Sequence, residues 1–172
     1  MKFSLLALVL CLSTTGAALA QRADEPVMAE VDSLYVYPDF KCIDMEGREV
    51  LLTDYLNENY TIVEFWGSWC RYCIADIPAM KEAYAQYHPL GLQFVGICCR
   101  ETQESWKEAV EKYGLPWTNL YYPEQGNPQL TPSYEFQGYP TKYVVAPGGI
   151  VMCEFLGDDP AFYEYLKYIF SE

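Results

Sequence analysis

Trp69-Cys70-Arg71-Tyr72-Cys73 is the stretch of this chain that decides its fold. The apolar run 61–66 before it predicts a buried strand, and residues 75–87 after it predict a helix. The two cysteines therefore lie where a strand passes into a helix. The free backbone N–H groups of a helix start and the helix dipole favour the thiolate of the first cysteine. The pattern predicts a cysteine pair that forms and exchanges a disulfide.

The rest of the chain alternates predicted strands and helices. The further predicted strands are residues 40–44, 48–52, 92–97, 142–145 and 150–155. The further predicted helices are residues 103–113, ended by Gly114, and 160–169. The Pro-, Tyr- and Asn-rich residues 116–131 are expected to form a connection, with one helical turn as an option. This order predicts one α/β domain with a mixed sheet.

The first residues have the composition of an export signal. Lys2 precedes an apolar core at 5–12, and Ala18-Leu19-Ala20 forms a small-residue cleavage site before Gln21. We expect a signal peptide at 1–20, a flexible leader at 21–34 and one domain at 35–172. The alternative, an uncleaved anchor, would need an apolar run closer to the roughly 20 residues that span a bilayer. No membrane span is expected after cleavage.

The charge and the cysteine content exclude several classes. With 24 acidic and 11 basic residues the net charge is −13, which disfavours nucleic acid and anionic membranes as partners. The cysteines beyond residue 20 are too few and too irregularly spaced for a domain built on disulfides. A zinc site at Cys70 and Cys73 would need two more suitably spaced ligands, and His88 is the sole histidine. We expect neither a metal nor a cofactor.

The motifs, taken in order, resemble the thioredoxin superfamily, and within it the exported TlpA/ResA-like thiol–disulfide oxidoreductases. The matching segments are the N-terminal hairpin, Phe65-Trp66-Gly67-Ser68-Trp69-Cys70, Pro78 after Cys73, Gly138-Tyr139-Pro140-Thr141 and Gly148-Gly149. The resemblance implies a thioredoxin-like fold, in which helices flank a central mixed sheet, with an extra N-terminal β-hairpin. Together with the signal it implies a Gram-negative periplasm, with secretion as the alternative.

The candidate catalytic residues are Cys70, Cys73 and Glu64. Cys70 is first in the motif and nearest the helix start, so it is the expected nucleophile, and Cys73 is the expected resolving thiol. The resemblance implies that Glu64, six residues before Cys70, accepts the proton of Cys73; the alternative is a solvated or hydrogen-bonded glutamate at a strand edge. Asp76 either tunes the thiol pair or contacts substrate, or is only a favourable charge early in the helix.

The candidate substrate-binding residues flank the cysteines. Tyr139-Pro140 resembles the family's cis-proline site, which would pair with an extended substrate segment; an ordinary trans turn proline is the alternative. Trp69, Arg71 and Tyr72 are expected to line the same surface. Arg71 favours the Cys70 thiolate, whereas Glu64 and Asp76 oppose it, so the sequence leaves the redox poise open.

The remaining cysteines have no clear catalytic assignment. Cys98 and Cys99 follow a predicted strand and are expected to be one buried and one exposed residue, or to include an auxiliary redox thiol. Cys42 and Cys153 are expected to be core residues or a structural disulfide. Their pairing stays open.

The function that these observations favour is the reduction of protein disulfides by an exported enzyme. The expected partners are protein thiols and disulfides and a redox partner that regenerates the dithiol. The alternatives are a disulfide isomerase or oxidase, a peroxidase of the related peroxiredoxin group, and a non-catalytic thioredoxin-fold binding module.

Overall fold

The computed structural model describes residues 39–56, 58–123 and 138–171. The expected signal peptide and leader lie outside the described residues, so both stay predictions. Within the described ranges, no helix is long and apolar enough to cross a membrane.

In the part of the chain that the structure describes, seven strands form one sheet, with three α-helices packed against it. The strands are β1 (Lys41–Ile43), β2 (Glu49–Leu51), β3 (Thr61–Trp66), β4 (Gln93–Cys98), β5 (Thr118–Tyr121), β6 (Thr141–Ala146) and β7 (Ile150–Leu156). The helices are α1 (Arg71–Tyr87), α2 (Gln103–Tyr113) and α3 (Pro160–Ile169), with 3₁₀ turns at Leu52–Tyr55 and His88–Leu90. The strand order is β2-β1-β5-β4-β3-β6-β7.

The strand directions bring several loops to one edge of the sheet. β3 and β5 lie on either side of β4 and run parallel to it, and β6 runs antiparallel to β3. The loops that follow β3 and β4 therefore meet the segment that enters β6. Cys70 follows β3 and Pro140 precedes β6, so the topology places both at this edge.

Alternate residues of β3 serve the two faces of the sheet. Ile62 and Trp66 lie in a core cluster with the two motif cysteines and with side chains from all three helices. Val63 and Phe65 lie in a second cluster on the other face. Since side chains of a strand alternate, Glu64 shares the face of Ile62 and Trp66, which is the face of the cysteines.

The predicted α/β architecture with a mixed sheet and an N-terminal hairpin is confirmed. The predicted bounds of α2 and α3 agree with those observed. Helix α1 begins at Arg71 rather than at 75, because Cys70 caps it. The prediction of a connection with at most one helical turn was wrong for Thr118–Tyr121, which form the strand β5 between β4 and β1. The rest of that connection beyond Pro123 lies outside the described residues.

Candidate active site

Cys70 and Cys73 form a disulfide at the N-terminus of α1. Cys70 is the N-cap residue, and its Sγ accepts a hydrogen bond of 3.1 Å from the backbone N–H of Cys73. A sulfur that accepts backbone N–H at a helix N-terminus is stabilised as an anion. The geometry therefore favours the thiolate of Cys70 once the disulfide is reduced.

The loop that delivers Cys70 is held by the indole of Trp69. Trp69 Nε1 donates to the carbonyl of Cys99 at 3.0 Å, and the ring packs edge-to-face on Tyr139 with centroids 5.1 Å apart. Gly67 lies under this ring, and a Cβ there would collide with the indole. Trp69 still exposes 49% of its surface beside the disulfide.

The other expected substrate-binding residues also flank the cysteines. Arg71 and Tyr72 are exposed in the first turn of α1, with the guanidinium carbon 6.0 Å from the centre of the tyrosine ring. The Tyr139–Pro140 peptide is cis, as the resemblance implied. The Pro140 carbonyl accepts a 2.7 Å hydrogen bond from Gly157 N–H, which ties the loop after β7 to this site.

Glu64 is buried on β3, with 6% of its surface exposed. Burial is the main cause that raises the pKa of Glu64 from 4.5 to about 7. The positive charge of Lys142 lowers this pKa only in part, and the negative charge of Asp76 raises it further. The alternative of a solvated glutamate at a strand edge is therefore wrong, since β3 lies inside the sheet between β4 and β6. A carboxyl with a pKa near neutral can exchange a proton at working pH.

Asp76 lies in a buried ion pair rather than on the exposed side of α1. Its Oδ2 is 2.6 Å from Nζ of Lys142, and its Oδ1 accepts a hydrogen bond of 2.6 Å from the hydroxyl of Tyr163. Asp76 is thus held by two buried partners, and its expected role in tuning the thiol pair or contacting substrate stays a prediction. Burial and the adjacent Asp76 raise the pKa of Tyr163, so its hydroxyl stays protonated.

Lys142 and Tyr163 were missed by the sequence reasoning. Lys142 pairs with Glu64 in the β3–β6 register and is fully buried. The available signal was a lysine inside the apolar strand Thr141–Ala146, which a buried strand tolerates only with an anionic partner. Tyr163 lies on the amphipathic α3, where nothing in the sequence distinguishes it from a packing residue.

Cys98 and Cys99 are both buried, so the expectation of one exposed cysteine was wrong. Cys98 Sγ donates to Glu101 Oε1 at 2.7 Å, and the same oxygen accepts Ser68 N–H at 2.7 Å. Burial, reinforced by Glu101, raises the pKa of Cys98. Glu101 thus joins the end of β4 to the loop before Cys70, a link that no sequence pattern indicated.

Cys42, Cys153 and His88 lie among packing residues rather than in a cluster of catalytic groups. Cys42 is buried and Cys153 half-buried, and both are free thiols rather than a disulfide. The His88 ring stacks on Tyr84, with centroids 4.5 Å apart, and its Nδ1 lies 3.0 Å from the Leu92 carbonyl. Within the described ranges, no group of three potential ligands is placed to hold a metal ion.

Known proteins resemble this chain in sequence and fold. A thiol-disulfide oxidoreductase ResA of Bacillus thuringiensis is 28% identical over 134 residues, which cover 77% of this chain and 75% of that protein. The thioredoxin domain of a thiol-disulfide oxidoreductase from Bacteroides vulgatus has 25% identity and a TM-score of 0.70, over 79% of this chain and 96% of that one. A thiol:disulfide interchange protein from Bacteroides sp. has 26% identity and a TM-score of 0.68, and the match covers 80% of this chain and 89% of that one. The AhpC/TSA family model matches residues 35–153, and the chain therefore belongs to the AhpC/TSA family, with a thioredoxin-like fold.

Proposed function

We propose that this protein is an exported thiol–disulfide oxidoreductase that reduces protein disulfides. The observation that carries the proposal is the Cys70–Cys73 disulfide at the N-terminus of α1, where Cys70 Sγ accepts a backbone N–H. The names of the similar proteins, thiol-disulfide oxidoreductase and thiol:disulfide interchange protein, support the same activity.

The first step is attack of the Cys70 thiolate on one sulfur of a substrate disulfide. A Cys70–substrate bond forms, the substrate S–S bond breaks, and the departing sulfur takes the electron pair and a proton from water. The N-terminus of α1 stabilises the Cys70 thiolate that this step needs. Trp69, Arg71, Tyr72 and the cis Tyr139–Pro140 peptide form the surface on which the substrate segment would lie.

The second step releases the substrate. Cys73 gives its proton to Glu64, and the resulting thiolate attacks the Cys70 sulfur, which forms the Cys70–Cys73 disulfide and frees the second substrate thiolate. That thiolate takes a proton, so two electrons and two protons pass to the substrate in total. Glu64 suits this role because its pKa is about 7 and it shares the sheet face of the cysteines. A redox partner with its own dithiol must then reduce the disulfide again.

Export rests on the N-terminal residues. Lys2, the apolar core 5–12 and Ala18-Leu19-Ala20 support cleavage before Gln21 and delivery to a periplasm, with secretion as the alternative. Fractionation of a Gram-negative host that expresses the full chain, with N-terminal sequencing, tests this. We expect a periplasmic product that begins at Gln21; an uncleaved product in the cytoplasm would contradict export.

Turbidimetric reduction of insulin tests the chemistry. We expect wild type and Cys153→Ser, a matched loss of a free thiol, to reduce insulin, and Cys70→Ser to fall to background. A redox potential near that of thioredoxin, about −270 mV, supports a reductant, whereas one above about −150 mV supports an oxidase or isomerase instead. Equal activity of wild type and Cys70→Ser in a cell-based assay would favour a binding module.

A peroxidase is the second candidate, because the matched family model is named AhpC/TSA. A peroxidase of that kind uses one peroxidatic cysteine, whereas Cys70 here follows Trp69 and is bonded to Cys73. Peroxide consumption that survives the Cys73→Ser substitution would favour the peroxidase. If neither wild type nor Cys73→Ser consumes peroxide, the peroxidase is excluded.

A further inference from the structure

Two buried carboxyl groups and one buried ammonium group lie on the cysteine side of the sheet. Glu64 on β3, Asp76 on α1 and Lys142 on β6 are each at most 6% exposed. Two potential negative charges thus share one positive charge in a region of low dielectric. Whichever carboxyl group receives less of the lysine charge holds its proton more tightly.

The contacts of Lys142 show how its charge is divided. Its Nζ lies 2.6 Å from Asp76 Oδ2 and donates to the Gly157 carbonyl at 2.9 Å, and it sits 5.3 Å from the centre of the Phe162 ring. Glu64 is directly opposite Lys142 in the β3–β6 register, yet it lies outside ion-pair distance of the ammonium group. The lysine therefore leans toward α1 and away from its own cross-strand neighbour.

Tyr163 fixes the other side of Asp76. Its hydroxyl donates to Asp76 Oδ1 at 2.6 Å, so both oxygens of this carboxylate are engaged, one by Tyr163 and one by Lys142. The hydrogen bond from Tyr163 fixes the position of the carboxylate that forms the ion pair with Lys142. The hydroxyl reaches Asp76 from α3, so three elements of the fold set one ion pair.

We propose that Asp76 and Tyr163 hold Lys142 away from Glu64, and that this division of one buried positive charge sets the protonation of Glu64. Asp76, Tyr163 and Lys142 are then positioning residues for the proton step, and none of them touches substrate. The inference rests on the proposed function for its consequence, the pH at which Cys73 can resolve the mixed disulfide. The division of charge itself does not require any enzyme activity.

The titratable groups that act on Glu64 lie on β6, α1 and α3. Lys142 acts on it from β6, Asp76 from α1 and Tyr163 from α3, while its partner on β4 is Gly96, which carries no charge. The motif cysteines belong to the core cluster on the same face of the sheet. In the oxidised protein the cysteines carry no proton, so Glu64 titrates without them. Asp158, after β7, acts on Tyr163 but is exposed to solvent.

The two halves of the ion pair predict shifts of opposite sign. Lys142→Met removes the group that lowers the pKa of Glu64, so its titration midpoint rises by about one unit. Asp76→Asn removes a repelling carboxylate and frees Lys142, so the midpoint falls by about one unit. Tyr163→Phe weakens the hold on Lys142 without a change of charge, so the midpoint falls by less. If the ion pair were purely structural, Lys142→Met and Asp76→Asn would change the Glu64 titration midpoint in the same direction.

The test is ¹³C NMR of the glutamate side-chain carboxyl resonances in the oxidised full-length protein, with Glu64→Gln to assign the signal. We expect a wild-type midpoint of about 7, with Lys167→Met as the control that removes an exposed lysine and leaves it unchanged. If Lys142→Met does not fold, Asp76→Asn and Tyr163→Phe carry the test through their downward shifts. Shifts of the same sign in Lys142→Met and Asp76→Asn, or an unmoved midpoint in Asp76→Asn, would overturn the proposal. Since no catalysis is measured, these outcomes are independent of the insulin assay.

Discussion

Two pairs of closely spaced cysteines lie at the C-terminal ends of the neighbouring strands β3 and β4, and one sulfur of each pair has the opposite hydrogen-bonding role. The Cys70 sulfur accepts an N–H from Cys73, whereas the Cys98 sulfur donates to the carboxylate of Glu101. Both sulfurs are buried, with Cys70 5% and Cys98 0% exposed, so burial alone does not separate them. Accepting N–H favours a thiolate and donating to a carboxylate opposes it. The direction of one hydrogen bond, rather than spacing or depth, separates Cys70, the proposed nucleophile, from Cys98.

The largest effect expected from this comparison is a difference in alkylation rate. In the reduced protein at pH 7, iodoacetamide should modify Cys70 at least about a thousandfold faster than Cys98. The helix N-terminus favours the thiolate of Cys70, while burial raises the pKa of Cys98 and restricts access to it. Mass spectrometry of timed, quenched samples measures both rates.

The control for this experiment is the same reaction in denaturant, where both cysteines should react alike. Native rates within tenfold of each other would contradict the contrast between the two sulfurs. They would also weaken the assignment of Cys70 as the nucleophile.

A second prediction concerns Glu64, the buried glutamate on the sheet face of Cys70 and Cys73, and the pH dependence of stability that it causes. Below about pH 4.5 Glu64 is protonated in both the folded and the unfolded chain. As the pH rises to about 7, the unfolded chain ionises first, so the folded state loses roughly 3 kcal/mol of its free energy of unfolding. Glu64→Gln cannot titrate, and its stability relative to wild type should rise by this amount between pH 4.5 and 7.5.

Urea unfolding of the oxidised protein at several pH values measures the change. Glu82→Gln, on the exposed side of α1, is the matched control and should follow wild type at every pH. A constant difference between Glu64→Gln and wild type would show that Glu64 is ionised in the folded protein throughout this range.

The contrast between the pairs also shows where sequence reasoning succeeds. The C-x-x-C spacing, the flanking periodicities and the Tyr139-Pro140 motif sufficed for the fold, because each is local in sequence. The placement of Cys70 at a helix start followed from the same local patterns, whereas the cis peptide was expected only from the family resemblance. The face shared by Glu64 and the cysteines follows from strand alternation once β3 is recognised.

What sequence reasoning missed depends on contacts between distant segments. The Asp76 contacts with Lys142 and Tyr163 join residues 66 and 87 positions apart, and the strand register that sets Lys142 opposite Glu64 is not written in either strand alone. Strand β5 was missed because Thr118–Tyr121 is short and half polar, and gains its partners only from β4 and β1. The burial of Cys99 likewise depends on the opposite face of the sheet.

Removal of Glu101 should make the second pair more like the first. Glu101→Ala deletes the acceptor for Cys98 Sγ and for Ser68 N–H, which we expect to cost about 2 kcal/mol of stability, since hydrogen bonds to charged groups contribute about that much. Cys98 should also alkylate faster than in wild type. Urea unfolding and the alkylation assay measure both changes, and unchanged values in both would show that Glu101 does not hold this loop.

The smallest expected effect separates two causes of Cys70 reactivity. Arg71 is exposed, and its guanidinium lies over Tyr72, so salt and water screen its charge from the Cys70 sulfur. Arg71→Ala should therefore raise the pKa of Cys70 by less than about half a unit, measured by thiolate absorbance at 240 nm in the reduced protein. A rise of more than about one unit would show that the arginine, rather than the N-terminus of α1, is the main source of the thiolate. In either case the alkylation rate of Cys98 should not change, because its sulfur is governed by Glu101.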